Sequence, residues 1–205
     1  MRQDSIISLK KRARTIKNIL ALIFIIGIIL LFAALIVSFI LFSAPEQGFT
    51  AEKGNLDWFI KYNLSNGTAF GVYIPFRIIQ SLNIEMFSAK SAFLTYLVSS
   101  AILNIVILYG LKQVINILNT ISRNTTPFDI NNVRRLKKIA LSIIVYSVVV
   151  DPIRNLLGWA FVSKIFDFDY SNIHLSGILI AVVIFIIADV FKYGIFLQDE
   201  VDTTL

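Results

Sequence analysis

The chain has 205 residues, of which 57% are hydrophobic and 16% are charged, and its formal net charge is +6. A soluble domain carries about 25% charged residues, so this composition indicates an integral membrane protein. The chain contains no cysteine, which excludes disulfides, thiolate metal sites and cysteine nucleophiles. Lys and Arg cluster at the ends of apolar stretches, a pattern typical of membrane topology signals and not of a surface that binds nucleic acid directly.

The first apolar stretch follows a basic N-terminus. Residues 1–18 hold six Lys and Arg residues, and residues 19–42 carry no charge. Such a stretch forms roughly 36 Å of helix, enough to cross a bilayer. A signal peptide has an apolar core of only about 7–15 residues. We therefore expect residues 19–42 to form an uncleaved first transmembrane helix.

Residues 43–89 form the long non-spanning region of the chain. The segment 68–79 reads TAFGVYIPFRII, and its aromatic and β-branched residues predict a strand or a short β-hairpin after a turn at Asn66-Gly67. One interpretation is a ligand-sensing ectodomain. The other is an ordered cap on the outer bilayer surface, and the small size of the region favours it. The aromatic residues that this cap would place at headgroup depth are Trp58, Phe59, Tyr62, Phe70, Tyr73 and Phe76.

The second predicted span covers residues 90–121. Tyr96, Ser100 and Asn104 recur at steps of four, so they share one helix face, whereas Lys112 is turned well away. We prefer hydrogen bonding between helices to a transport pathway as the interpretation of this polar row.

The basic connector, residues 122–138, joins the second and third spans. Its sequence Thr126-Pro127-Phe128-Asp129 predicts a helix start, with Thr126 as the cap, Pro127 at the first position and Asp129 reaching back.

The third predicted span, residues 139–163, is interrupted by charge. Pro152 predicts a kink, and Asp151 and Arg154 are three residues apart, so they can neutralise one another on one face. We prefer this self-contained ion pair. A proton or substrate site is the alternative, because charges at membrane depth are functional candidates.

A short loop, residues 164–174, precedes the fourth span, residues 175–197. Only 14 uncharged residues precede Asp189, which places its carboxylate within or at the inner edge of the membrane. We expect Asp189 to pair with Lys112 or Lys192. Gly177 and Ala181 form a small-residue pair suited to close helix approach.

The loop 164–174 contains His174, the single histidine of the chain, near Asp167 and Asp169. Three such residues in one loop are a weak indication of a metal site, so we expect no metal and no cofactor.

The distribution of Lys and Arg predicts the orientation. The N-terminal segment holds six and residues 123–138 hold five, against three in residues 43–89 and one in the loop 164–174. The positive-inside rule then places the N-terminus, the connector and the acidic tail, residues 198–205, on the cytoplasmic side. The expected fold is an all-α membrane protein with four transmembrane helices, located in a bacterial cytoplasmic membrane.

Two groups of candidate functional residues follow from these patterns. The intramembrane polar and ionic candidates are Asn104, Lys112, Asp151, Arg154, Asn155 and Asp189. The candidates for binding a partner are Arg134, Arg135, Gln198, Asp199, Glu200 and Asp202.

Two stretches resemble a known family. The matching residues are Thr126-Pro127-Phe128, Asn132, Leu136, Tyr193-Gly194 and the run LQDEVDT at 197–203. They resemble the domain-of-unknown-function 2975 family of small bacterial membrane proteins, in which Leu205 is usually replaced by Ile or Val. The resemblance implies a four-span layout without an established activity. It also implies a gene often beside a small helix-turn-helix regulator, and it assigns nothing in residues 43–89.

Three functional hypotheses remain. The first is a non-enzymatic regulatory or interaction protein whose acidic tail contacts a cytoplasmic partner, for example a helix-turn-helix regulator with a basic surface. The second is a small transporter, exporter or immunity protein that uses Asp151, Arg154 and Asp189 and forms homo-oligomers. An intramembrane enzyme is the third and least favoured, because the sequence contains no HExxH or GxSxG motif.

Overall fold

The computed structural model describes residues 2–64, 67, 69–75, 87–123, 128–164 and 173–204, without the side chains of 2–6, 69, 202 and 204. Several sequence predictions lie outside these residues: the cap by Thr126 and Pro127, Asn66 of the turn, Phe76, and the acids Asp167 and Asp169. The chain divides into two compact units. The first, the connector unit, comprises residues 1–29, 105–147 and 174–205, and the second, the sheet unit, comprises residues 30–104 and 148–173.

Four long helices confirm the predicted helical class. They are α1 (Arg2–Phe42), α2 (Ala89–Arg123), α3 (Ile130–Gly158) and α4 (Leu175–Thr204). Three of them, α1, α2 and α4, are long and apolar enough to cross a membrane. Helix α3, which carries four basic residues within 134–138 and contains Asp151 and Arg154, is not among these three. Its crossing of the membrane stays a prediction.

The helices do not stop where the apolar stretches stop. Helix α1 includes the basic N-terminal segment from Arg2 onward, and α4 continues through the acidic tail to Thr204. Lys, Arg, Gln and Glu are good helix formers, so the charged segments can continue the helices that the apolar segments begin.

Helix α3 is irregular near its second end. Pro152 lies inside it, and a π-helical turn, Trp159–Ser163, follows. Lys164 closes this turn in a left-handed conformation with φ 57°, and its N–H donates a hydrogen bond to the Trp159 carbonyl at 3.0 Å. A left-handed residue is a common way to end a helix.

A three-stranded antiparallel sheet lies in the region between α1 and α2. Its strands are β1 (Phe49–Lys53), β2 (Asp57–Asn63) and β3 (Ala69–Pro75), in the order β1-β2-β3. The predicted strand in residues 68–79 is confirmed as β3. In the β2–β3 connection Gly67 has φ +81°, a conformation that glycine adopts without strain.

One face of the sheet forms the core of the sheet unit. Trp58, Ile60 and Ile74 are 5%, 0% and 0% exposed and pack in one cluster with Phe93 of α2. Trp58 also stacks on Phe87, with ring centroids 4.8 Å apart. Trp58 therefore belongs to the folded core and not to a ring of exposed interfacial aromatics, whereas Tyr73 is 62% exposed.

Close helix contacts in the connector unit depend on small residues. A Cβ on Gly177 would lie 2.0 Å from Ser147 Oγ, and Ala181 is fully buried, which confirms the predicted small-residue contact. The His174 N–H donates a hydrogen bond to the Ser147 carbonyl at 3.3 Å. Helix α4 therefore begins beside the middle of α3.

Candidate functional site

Three of the residues that carry the family resemblance, Phe128, Asn132 and Gly194, make contacts in the connector unit around the start of α3. The connector cluster, as we name it, consists of Asn116 and Thr120 on α2, Phe128, Asn132, Arg135 and Lys137 at the start of α3, and Asp189, Phe191 and Gly194 on α4.

The start of α3 is fixed by its own residues. Asp129 Oδ1 accepts a hydrogen bond from the Asn131 N–H at 2.8 Å, and the Asp129 carbonyl accepts one from the Asn132 N–H, also at 2.8 Å. Asp129 therefore caps the helix with its own side chain. Asn132 is fully buried.

Arg135 joins the start of α3 to the end of α2. Its Nη1 donates to Thr120 Oγ1 at 2.7 Å, to Asn132 Oδ1 at 3.0 Å and to the Asn116 carbonyl at 3.2 Å. The planar guanidinium presents several donors in fixed directions, so it can join side-chain and backbone acceptors from two helices. Arg135 therefore stabilises the contact between two helices, whereas its neighbour Arg134 is exposed.

Asp189 forms an ion pair with a residue that the sequence patterns did not indicate as its partner. Lys137 Nζ lies 3.0 Å from Asp189 Oδ1, and the two side chains are 46% and 66% exposed. The predicted partners, Lys112 and Lys192, are both exposed. The expected pairing of Asp189 with either of them is corrected to an ion pair that joins α4 to α3.

Phe128 contacts α4 one turn further along. Its ring lies 5.3 Å from the Phe191 ring, centroid to centroid, and a Cβ on Gly194 would lie 2.7 Å from Phe128 Cε1. The absence of a side chain at Gly194 is therefore what lets the Phe128 ring approach the helix. One residue from each half of the family signature, Phe128 and Gly194, meets its counterpart at this contact.

Helix α4 also presents an exposed face that carries both acidic and aromatic side chains. Asp189, Tyr193, Phe196 and Glu200 follow one another at helical spacing along one face, and all four are exposed. The Tyr193 and Phe196 rings stack with centroids 6.4 Å apart. We call these four residues the α4 stripe. Gln198 and Asp199 are also exposed, and the side chain of Asp202 lies outside the described residues.

The sheet unit contains a second group of polar candidates. Asp151 and Asn155 are 3% and 9% exposed, and Asn104 is half-buried. Arg154 Nη2 donates a 3.5 Å hydrogen bond to Ser100 Oγ, and its Cζ lies 5.6 Å from the centroid of the Tyr96 ring. The guanidinium therefore contacts α2 as well, and the ion pair between Asp151 and Arg154 within α3 stays a prediction.

Two residues of the polar row on α2 make the kind of contact predicted for the row. Tyr96 and Ser100 lie on the predicted common face and contact Arg154 of α3. These are contacts between helices, as expected for polar residues in a membrane protein. Lys112 is exposed, in agreement with its predicted direction.

No group of three or more His, Asp or Glu side chains that could hold a metal ion occurs within the described part of the chain.

Comparison with known proteins assigns the chain to a family. No curated protein and no solved structure matches the chain. Residues 50–205, which include α2, α3, α4 and nearly all of the sheet, match the family described as "Protein of unknown function (DUF2975)". The chain therefore belongs to the DUF2975 family.

Proposed function

We propose that this protein is a non-enzymatic membrane protein that binds a cytoplasmic partner at the connector end of its helices. The partner surface we favour is basic, as on a small helix-turn-helix regulator. The proposal rests above all on the exposed α4 stripe, because the helix that carries it is fixed to the start of α3 through Asp189, Phe191 and Gly194. A surface that is already ordered before binding loses less conformational entropy when a partner docks.

The types of residue in and beside the α4 stripe support its role as a docking surface for a partner. Tyr193 and Phe196 are 62% and 60% exposed, and aromatic side chains are enriched at binding interfaces. Asp199 and Glu200 add exposed carboxylates next to them. Acidic groups attract a basic partner over the distance of the Debye length, about 8 Å at physiological ionic strength.

The orientation is part of the proposal. If Asp189 marks the inner edge of the membrane, the 15 residues that follow it in α4 extend roughly 22 Å toward the partner. The Lys and Arg count supports cytoplasmic positions for both chain ends and for the connector, in a bacterial cytoplasmic membrane. Homo-oligomers are compatible with this arrangement, because the α4 stripe lies on the far side of the helix from its contacts with Phe128.

Site-specific photo-crosslinking tests the proposal. A photoreactive amino acid replaces Tyr193 in the full chain in its native membrane, and crosslinked proteins are identified by mass spectrometry. We expect a basic cytoplasmic protein, and we expect its yield to fall strongly in a variant that also carries Asp199→Lys and Glu200→Lys.

Tyr73 on β3 is the matched control, because it is also 62% exposed and is predicted to lie on the opposite side of the membrane. The same partner at both positions, or crosslinks at Tyr193 only to a second copy of the chain, would rule out the proposed docking surface.

A small transporter, exporter or immunity protein is the second candidate, and buried Asp151 is the observation that favours it. Asp189 contributes less to this hypothesis, since it is exposed and paired with Lys137. Solute or proton flux in proteoliposomes that is lost in Asp151→Asn would favour transport over partner binding.

A further inference from the structure

The sheet unit contains a groove where three helices end near the sheet. Its volume is about 280 Å³, and its lining is formed by Phe42 of α1, by Leu94 and Val98 among others of α2, and by Phe161 in the π-helical turn. A cavity of about 150 Å³ with apolar walls is large enough to hold benzene. The groove can therefore accommodate a stretch of one acyl chain.

The position of the groove makes lipid its natural occupant. Phe42 and Phe161 are 73% and 60% exposed, and Phe42 is the last residue of α1. Helices α1 and α2 are both long and apolar enough to cross a membrane. A groove between the ends of two such helices borders the outermost part of the hydrocarbon layer, next to the lipid headgroups.

The polarity of the groove changes along α2. Ser91 and Thr95 line it near the start of the helix, and Val98 lines it further along. Ser91 lies two residues after Ala89 and Val98 nine residues after it, so they are roughly 3 and 14 Å from the start of α2. Neither hydroxyl forms a hydrogen bond with another residue of the described part of the chain. Both can therefore bind the ester or glycerol oxygens of a lipid whose chain continues past Val98.

Lys90 adds a positive charge at the edge of the groove. Its Nζ lies 6.0 Å from the centroid of the Phe42 ring and donates a 2.6 Å hydrogen bond to the Ala44 carbonyl. An ammonium has three N–H donors, so this hydrogen bond positions the group and leaves it able to contact a phosphate oxygen as well. Lysines at headgroup depth attract anionic lipids.

We propose that this groove binds an anionic phospholipid. One acyl chain lies along Leu94 and Val98, the phosphate lies at the Lys90 ammonium, and the hydroxyls of Ser91 and Thr95 contact the glycerol region. The predicted orientation places the lipid in the outer leaflet. The site is separate from the α4 stripe and does not depend on the proposed partner.

Lipid retention by the full-length protein tests the proposal. The protein is stripped of lipid in a neutral detergent, and phosphatidylglycerol and phosphatidylcholine with the same acyl chains are added at equal concentrations. Native mass spectrometry then measures how much of each lipid stays bound. We expect the parent protein to retain phosphatidylglycerol in preference to phosphatidylcholine.

Variants at Lys90 test the headgroup contact. Lys90→Gln keeps a hydrogen-bond donor for the Ala44 carbonyl but removes the charge. It should lower the preference for phosphatidylglycerol by about fivefold, the contribution of one lysine near an anionic lipid surface. Lys90→Arg keeps the charge and should keep the preference. Lys112→Gln removes an exposed cation elsewhere on α2, so it is the matched control and should behave as the parent does.

A variant at Val98 tests the chain contact. Val98→Trp fills the groove, and it should cause loss of both lipids. The position is already 36% exposed, so the larger side chain can be accommodated without unfolding the helix. Val148→Trp is the matched control, because Val148 is 37% exposed and does not line the groove. This control should retain phosphatidylglycerol as the parent does.

Three results would overturn the proposal. The first is that the parent protein retains no phosphatidylglycerol, or retains the two lipids equally. The second is that Lys112→Gln lowers the preference as much as Lys90→Gln does. The third is that folded Val98→Trp retains as much phosphatidylglycerol as Val148→Trp.

Discussion

The two units are stabilised by different kinds of contact. The sheet unit has an apolar core. Ile60, Ile74 and Phe93 belong to it, and each of these three is at most 3% exposed. In the connector unit, the described contacts around the start of α3 are an arginine that joins two helices, an exposed ion pair and an aromatic ring on a glycine. The apolar core supplies stability, whereas the polar and shape-dependent contacts fix which helix faces meet.

Because of this difference, we expect the largest loss of stability from a single substitution to occur in the sheet unit. Ile60→Ala removes most of a side chain with 0% exposure and should destabilise the protein by about 2–5 kcal/mol. The measurement is the apparent unfolding midpoint in detergent, followed by tryptophan fluorescence. Leu56→Ala, at a position 81% exposed, is the control and should shift stability by less than about 0.5 kcal/mol. Equal shifts for both variants would contradict an apolar core under the sheet.

In the connector unit, we expect the largest loss of stability from a substitution that disturbs the close packing of a side chain against a helix. Gly194→Ala places a Cβ 2.7 Å from Phe128 Cε1, so the ring must move, at a cost of about 1–3 kcal/mol. Gly110→Ala is the control, because its Cβ would lie 3.5 Å from Ser142 Cβ and alanine favours the helix by up to about 1 kcal/mol. The two glycine variants should therefore change the unfolding midpoint in opposite directions.

A double variant sharpens this prediction. Phe128→Leu in the Gly194→Ala background removes the clashing ring atoms and should recover part of the lost stability. Additive losses would show that the contact between Phe128 and Gly194 does not control the packing of α4.

Arg135 should show a smaller effect. Arg135→Lys keeps the charge but cannot reproduce the hydrogen bonds to Thr120, Asn132 and the Asn116 carbonyl, so we expect a loss of about 1–2 kcal/mol. Arg134→Lys is the control on the same turn of the same helix, at an exposed position, and should be neutral. Similar midpoints for the two variants would show that the hydrogen bonds of Arg135 contribute little.

The ion pair on α4 should show the smallest effect. Because Lys137 and Asp189 are 46% and 66% exposed, solvent screens the pair and the coupling energy should be about 0.2–1 kcal/mol. A double-mutant cycle with Lys137→Gln and Asp189→Asn measures it, and the coupling should shrink in high salt. We also expect faster hydrogen exchange in α4 after Asp189 in the Asn variant. Unchanged exchange there would show that the pair does not hold this part of the helix.

Local sequence patterns predicted the parts of the fold that depend on local physics. The apolar stretches indicated α1, α2 and α4, and the β-branched and aromatic run indicated β3. Strand β1 was not predicted, because a five-residue segment that ends in Glu52-Lys53 shows little strand character until it pairs with β2. No local pattern encodes such pairing.

The sequence patterns did not predict contacts between residues that are far apart in the chain. For Asp189, the partners considered were on its own helix or on α2, whereas the antiparallel approach of α3 supplies Lys137. The spacing of Asp151 and Arg154 predicted a pair within α3, but it gave no indication of the contacts that Arg154 makes with Tyr96 and Ser100 on α2. Both halves of the family signature were recognised, yet nothing in their separation of more than 60 residues indicated that Phe128 and Gly194 touch.

The start of α4 beside Ser147 has a consequence for biosynthesis. Helix α4 is long and apolar enough to cross a membrane, but Asp189 interrupts its apolar stretch after 14 residues, and a carboxylate at membrane depth is costly unless it has a partner. The groups that receive α4, the Ser147 backbone and the Lys137 ammonium, both belong to α3, which the ribosome completes first. We therefore expect α4 to reach its final position late, after α3 is in place. Ser147→Leu, which fills the space that Gly177 leaves open, should yield chains of full length in which residues 175–204 are sensitive to protease.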